Sequence, residues 1–436
     1  MNKKILLLVL LLSALVMLVG CGRNKNDSPA VSEATPAPEE TPVYIISTPK
    51  ISEEYNSIDD ANRAEKDQVR EELMYVANGC RDIYQQAEKG TTLNVVLDDA
   101  TVQAMVTRIG QMGFPAVDAF GKMDMQCPQP IIDFGASING AENIGVSYFT
   151  VYKDGQISVY HIGREKGIWY LIAMSAVWDR NGEPSVLTEG RYAIGEVQLT
   201  EKGWLIYNRD TGSFDDNQRS NINSYVFVRV LPYDSVKRGL GQKYVGSVGY
   251  FENNLFTTNW TEANLGPIDF NSLYSSLFGM YMGTGHLSAS NASNWFNTVN
   301  DTRLFLIPTS NFEQIVQYYF NIDSAVLKNI SDYSYALDGY FFFGYQDGLY
   351  NVTPRIPEPE VVDYWYNSDG TLTMRVDAVH KWYGTDKAFS HDLTVRENSD
   401  GSFRYVSNVV YLEPDSIVPT CRLSDLLNSE RAKTQY

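Results

Sequence analysis

Four histidines, at positions 161, 286, 380 and 391, carry all the imidazole chemistry of the chain. His380 and His391 have the most suggestive spacing. In a strand over 371–383, His380 shares a face with Leu372, Met374, Val376 and Trp382. In the next strand His391 shares one with Phe389, Leu393 and Val395. A short loop between the two strands could set both rings on one face. Two histidines and a carboxylate could then hold a metal. The plainer alternative is two half-buried histidines bonded to backbone or carboxylate. We adopt it, and expect no metal and no cofactor. His161 lies in a strand beside Tyr160 and Ile162, and His286 in a Gly-Thr-Gly-His turn.

No Gly-x-Ser-x-Gly elbow is present for a serine hydrolase. Ser47-Thr48-Pro49-Lys50 matches Ser-x-x-Lys, but it lies in a proline-bearing tract and lacks the downstream Ser-Asp-Asn and Lys-Thr-Gly partners. Phosphate loops, dinucleotide fingerprints, His-Glu-x-x-His and paired Cys-x-x-Cys are also absent. A glycosidase needs two carboxylates across a sugar, and 53 acids single out no pair. No catalytic residue is assigned.

The stronger hint of a ligand is aromatic. Tyr, Phe and Trp make up 13% of the chain, with 29 tyrosines. Clusters stand at Trp169-Tyr170, Tyr340-Phe341-Phe342-Phe343 and Tyr364-Trp365-Tyr366. Neighbours in a strand point to opposite faces, so one member of each pair leaves the face that buries the other. Such rings either line a groove for sugar or peptide, or lie under a second layer.

These residues need elements to position them. Val69, Leu73, Val76, Cys80, Ile83 and Ala87 form one stripe of a helix over Asp59–Gly90. A second helix starts at Asp98 or Asp99, buries Val102, Met105, Val106 and Ile109, and ends near Gly113. Strands follow near 146–153, 156–163, 168–178, 190–199 and 203–208. Asp154-Gly155, Lys166-Gly167, Asn181-Gly182 and Lys202-Gly203 are hairpin signals between them. A loop or boundary falls at 211–223. The order then repeats. Ser310-Asn311-Phe312-Glu313 fits a capping box ahead of a helix that buries Phe312, Ile315, Val316, Tyr319 and Phe320. Asp323 can cap another helix, carrying Val326, Leu327 and Ile330. Strands follow near 336–345, 361–366, 371–383, 389–397 and 402–412. Asn-Ser-Asp-Gly at 367–370 and 398–401 marks tight turns. The fold class is α+β: helices followed by an antiparallel β-meander, in two halves of similar order, as in duplicated cystatin-like or NTF2-like units. The expected domains are 51–215 and 216–436.

At the amino terminus Lys3 and Lys4 precede an apolar stretch, Ile5 to Gly20. As a helix it spans about 24 Å at ~1.5 Å per residue, short of the ~30 Å hydrocarbon core. It reads as a signal-peptide segment over 1–20. Leu18-Val19-Gly20-Cys21 resembles a bacterial lipobox, and such lipoproteins carry a diacylglycerol on the cysteine. The resemblance implies lipidation at Cys21 and stable attachment through two acyl chains. Residues 21–50, rich in proline and without periodicity, read as a disordered tether.

The net charge of −18, with both amino-terminal lysines inside the signal, argues against nucleic acid as partner. After Cys21 only Cys80, Cys127 and Cys421 remain, so at most one internal bridge forms. Cys80, on the helix stripe, reads as a buried inert thiol.

Residues 244–269 (YVGSVGYFENNLFTTNWTEANLGPID), the helix around Phe312-Glu313-Gln314-Ile315, and the tail 386–411 (DKAFSHDLTVRENSDGSFRYVSNVVY) resemble an uncharacterised family of Gram-positive lipoproteins. The resemblance implies an anchored, extracytoplasmic protein at the outer face of the membrane. It supplies no activity and no functional residues. The expected function is a non-catalytic binding module at the cell envelope, with a wall polymer or envelope protein as partner. The alternative is a cell-envelope hydrolase acting on glycan or peptide.

Overall fold

The apolar stripe of the first helix decides how the chain begins to pack. In the computed structural model it runs Ile58–Gln86 (α1), and Val69, Leu73, Val76 and Cys80 are buried on the predicted face. The structure describes residues 58–90, 94–121, 123–209, 225–284, 287, 296–299, 302–342 and 356–419. The expected signal peptide, Cys21, the tether with Ser47–Lys50, the loop at 211–223, His286 and Cys421 lie outside these residues.

The second helix, Asp99–Gln111 (α2), is capped by Asp98, whose carboxylate accepts from the Thr101 amide at 2.7 Å. Its buried residues are Val102, Met105, Val106 and Ile109, as the spacing requires. Both helices pack on one face of a five-stranded sheet in the order β1-β2-β3-β4-β5. Its strands are Ala116–Asp118 (β1), Ile144–Val151 (β2), Ile157–Glu165 (β3), Ile168–Trp178 (β4) and Pro184–Ala193 (β5). Strands β2 to β5 form the expected antiparallel meander. The short edge strand β1 is parallel to β2 and was not expected. Alternation splits the residues of β2: Phe149 and Val151 face α1 and α2, whereas Val146 and Tyr148 enter a second core.

That second core is closed by helix Gln129–Ser137 (α3) and a three-stranded sheet of Val197–Leu199 (β6), Trp204–Asn208 (β7) and Tyr225–Arg229 (β8). The strand expected over 190–199 is thus two strands in different sheets. The chain changes sheet between them: Ile194 N–H still bonds Trp169 O, and Gly195 N–H bonds Asn208 O. The boundary expected between 215 and 216 falls between β7 and β8, which pair with each other.

The second half begins with Ser235–Leu240 (α4), a π-turn at Gly241–Gly246 and Trp260–Thr261 (β9). Helices Phe270–Met282 (α5), Thr309–Tyr319 (α6) and Ser324–Ile330 (α7) follow. A four-stranded sheet contains Phe296–Val299 (β10), Thr302–Pro308 (β11), Tyr333–Ser334 (β12) and Gly339–Phe342 (β13). The last sheet is a meander of Glu358–Tyr366 (β14), Leu372–Val379 (β15), Ser390–Glu397 (β16) and Phe403–Tyr411 (β17), with β9 added beside β17. Both Asn-Ser-Asp-Gly segments are turns, closed by Gly370 N–H to Asn367 O and Gly401 N–H to Asn398 O.

The expected capping box does not form. Helix α6 starts at Thr309 after Pro308, with no side-chain cap. Glu313 is drawn away to accept hydroxyls from Tyr340 and Ser324, at 2.8 and 2.7 Å. Asp323 holds the N-cap position of α7 without a side-chain hydrogen bond. The face Phe312, Ile315, Val316, Tyr319 and Phe320 is buried as expected, with Phe312 stacked between Tyr274 and Tyr340.

Candidate functional site

Chemistry needs an accessible concave surface, and the cleft of about 770 Å³ near the edges of three sheets provides one. That volume lies within the range of small-ligand sites, about 300–1,000 Å³. Each boundary follows from strand geometry. Strand β1 ends in Asp118, whose carboxylate accepts the amides of Phe120 (3.1 Å) and Met123 (2.9 Å). The turn so fixed carries Phe120 at the cleft, 63% exposed.

The floor is tyrosine. Tyr148 on β2 and Tyr160 on β3 are direct cross-strand partners with rings stacked at 5.1 Å. Tyr148 shares a hydroxyl–hydroxyl bond of 2.8 Å with Tyr207 of β7, and Tyr152 shares one of 2.9 Å with Tyr160. Burial raises Tyr148, Tyr152 and Tyr207 above the ordinary phenol range, so they stay protonated near neutrality.

One wall is a ladder of alternating rings and guanidinium groups. Arg229 lies over Trp204 and over Tyr233, 4.9 and 5.0 Å from the ring centres, and Arg238 lies 5.6 Å from the Tyr233 ring. Glu360 of β14, 7% exposed, accepts Arg229 Nη1 and Trp204 Nε1, both at 2.9 Å. Both donors meet one carboxylate, and this ties the three-stranded sheet to the last sheet. Arg238 pairs with Asp124 at 2.8 Å, and Lys381 with Glu358 at 2.7 Å. Nearby, Lys202 bonds Asp377 at 2.7 Å. Gly384 also closes the seam, since a Cβ there would lie 2.3 Å from the Tyr225 ring.

The histidines stand elsewhere. Strand register sets His391 opposite Val376, four residues from His380, or roughly 13 Å along a strand at ~3.3 Å per residue. The loop that was to bring them together is a 3₁₀ turn, Lys381–Tyr383, and His380 has left the strand before it. Among the described residues no three His, Cys, Asp or Glu side chains form a metal-binding group. His391 is fully buried. Asn408 Nδ2 donates to Thr258 O at 2.8 Å, so Asn408 Oδ1 faces His391 Nδ1 at 2.7 Å as acceptor. The Tyr250 hydroxyl lies 3.1 Å from Nε2. Burial pushes the imidazole down to about 4.

His161 belongs to a different cluster, under α1. Its Nδ1 lies 3.0 Å from Ser147 Oγ, which donates to Glu72 at 2.9 Å, and its Nε2 lies 3.6 Å from Glu65. Tyr170 donates to Glu65, and Arg191 lies 4.0 Å from the Tyr170 ring centre. Ser147 and His161 are both buried. Cys80 is a free thiol that burial pushes up to about 12, and Cys127 is a free, half-buried one.

Of the aromatic clusters prominent in the sequence, Phe343 lies outside the described residues and the other members do not line this cleft. Tyr340 and Phe342 are core, Trp169 packs on Phe134, and Trp365 and Tyr366 are exposed on β14. The tyrosines that line it come singly, at 148, 152, 160, 207 and 233. Their available signal was parity, since 148, 152 and 160 share the face opposite α1. Among the described residues no helix is long and apolar enough to cross a membrane.

Fold and cleft thus define an α+β body with an aromatic, largely charge-paired cleft at the seam between its halves. Residues 66–423 match a family of unknown function (DUF6070), and the chain belongs to that family. No curated protein and no solved structure matches it.

Proposed function

We propose that this chain is a lipoprotein of a Gram-positive cell envelope, held through Cys21 at the outer face of the membrane, and that its body is a non-catalytic binding module with the cleft as its ligand site. The amino-terminal pattern Lys3-Lys4, apolar stretch and Leu18-Val19-Gly20-Cys21 supports the anchor. The observation that carries the binding role is the composition of the cleft. Its walls are rings, hydroxyls and charges that are mostly paired, and among its described lining residues there is no Ser, Cys or His to serve as nucleophile or imidazole base. Asp118, Glu358 and Glu360 do line it, but backbone amides, Lys381 and the Trp204–Arg229 pair engage them.

The test is co-sedimentation of the detergent-solubilised full chain with purified cell wall, with and without its attached polysaccharides. Saturable binding that Phe120→Ala weakens is the expected result. Time-dependent release of soluble wall fragments would establish the hydrolase alternative, and absence of binding would end the wall-ligand reading. For the anchor, Cys21→Ser should abolish labelling of the protein by a radiolabelled fatty acid. Normal labelling of that variant would remove the assignment.

A further inference from the structure

The cleft restricts the chemistry of what it can hold, through charge and through hydrogen bonding. Four cationic residues (Arg209, Arg229, Arg238 and Lys381) and three acidic ones line it among the described residues. Three of those cations already hold carboxylates: Glu360, Asp124 and Glu358. A polyanion would meet mostly neutralised cations on a chain of net charge −18, which repels it at longer range. A cationic ligand would find the lining acids Asp118, Glu358 and Glu360 already engaged. A neutral ligand suits both constraints.

The floor narrows the class further. A phenol has one proton to donate and can also accept. In the half-buried pair Tyr152–Tyr160 one proton is spent within the pair and one remains, whereas Tyr148 and Tyr207 are fully buried. Either oxygen of that pair can be the donor, so it can present a donor or an acceptor at a given position. A carboxylate or phosphate, which only accepts, uses half of that capacity. A sugar hydroxyl, itself both donor and acceptor, uses all of it. Phe120, exposed at the rim, adds a ring face on which the C–H side of a sugar can lie.

We infer that the cleft takes a neutral, hydroxyl-rich glycan segment, bound over the Tyr152 and Tyr160 hydroxyls and against the Phe120 ring. This rests on the cleft being the ligand site. The test titrates the detergent-solubilised full chain with chitotetraose, a neutral N-acetylglucosamine tetramer. A poly(glycerol phosphate) and an uncharged hexapeptide serve as comparison ligands, and tryptophan fluorescence is the readout, since Trp204 lies in the wall. Chitotetraose should saturate, Phe120→Ala should weaken it about tenfold, and Tyr160→Phe about fivefold. Tyr366→Ala, which removes a ring exposed on β14 outside the cleft, should leave it unchanged. Saturable, Phe120-dependent binding of the phosphate polymer or the peptide, with none of chitotetraose, would overturn the glycan class and leave the cleft reading standing. Binding of any ligand that is indifferent to both cleft variants, or no binding of any, would overturn both.

Discussion

His161 and His391 occupy matching places: each lies buried on the central strand of a five-stranded sheet. Their surroundings differ in kind. His391 is enclosed by Phe256, stacked at 5.2 Å, with Tyr250 and Asn408 as neutral partners. His161 faces Glu65 directly and Glu72 through Ser147. The aromatic enclosure has no countercharge at the ring nitrogens, so protonating His391 means burying a cation. The first sheet instead buries carboxylates and supplies donors to them. The same residue therefore serves as a neutral link in one half and as part of a charged network in the other.

The largest expected effect breaks the aromatic enclosure. Phe256 is fully buried against His391, Tyr250 and Tyr405. Phe256→Ala should cost about 3–5 kcal/mol of stability, read by urea denaturation, because a ring-sized cavity cannot close around a packed core. A loss below 1 kcal/mol would mean that the pocket is loosely packed.

The next effect is acid sensitivity. His391 is held at about 4 in the folded chain against an ordinary value of 6.5. The unfolded chain therefore binds the extra proton first. The stabilisation from the neutral ring is complete above pH 6.5 and is lost as pH falls toward 4, by about 3 kcal/mol in all. His391→Gln should remove that part of the pH dependence from urea midpoints measured between pH 7 and 4.5. An unaltered slope in the variant would assign the acid sensitivity elsewhere.

Glu65 sharpens the contrast. Burial raises its carboxyl, but His161, Tyr170 and Arg191 together outweigh burial and leave it below 4.5. Its contribution is thus present above pH 4.5 and lost as pH falls below it, a lower window than that of His391. Glu65→Gln should cost about 2 kcal/mol at pH 7, since Tyr170 loses a charged acceptor and Arg191 a counter-charge at 3.6 Å. Arg191 keeps Glu165 at 3.7 Å, which limits the loss. Chemical denaturation of the variant at pH 7 and pH 4 tests both statements, with the difference from wild type shrinking at the lower pH.

Much of this framework was legible in residue order. The stripe from Val69 to Cys80 and the four residues of α2 gave both helix faces, and the Asn-Gly and Asp-Gly pairs placed the first meander. What failed has physical causes. Ser310 and Glu313 had capping-box spacing, but Tyr340 and Ser324 compete for the Glu313 carboxylate across a tertiary contact. His380 and His391 had matching parity, but parity fixes a face and not a distance along it, and register separated them. Strand β1 is three residues long and gains its place only by pairing beside β2, so no local pattern marks it. Helix α5 is buried along most of its length and has no polar face to betray a period. The cleft was hidden for a related reason. Its tyrosines are separate in sequence and meet through sheet pairing, whereas Tyr340–Phe342 and Tyr364–Tyr366 are core, partly buried or exposed elsewhere.

The smallest effect concerns those tyrosines and asks whether the cleft floor behaves as interior or as surface. Tyr148 and Tyr207 share one hydrogen bond between otherwise buried rings. Tyr148→Phe and Tyr207→Phe should each cost about 1 kcal/mol, and the double variant no more than either single one, because both singles remove the same bond. Thermal or urea unfolding of the three variants yields a coupling of about 1 kcal/mol. If the cleft is wetted down to these hydroxyls, water replaces the lost partner in each single variant, and the coupling falls toward zero. A large coupling would place the pair with the dry interior, as the links around His391 are. A small one would mark it as the polar surface on which a ligand exchanges with water.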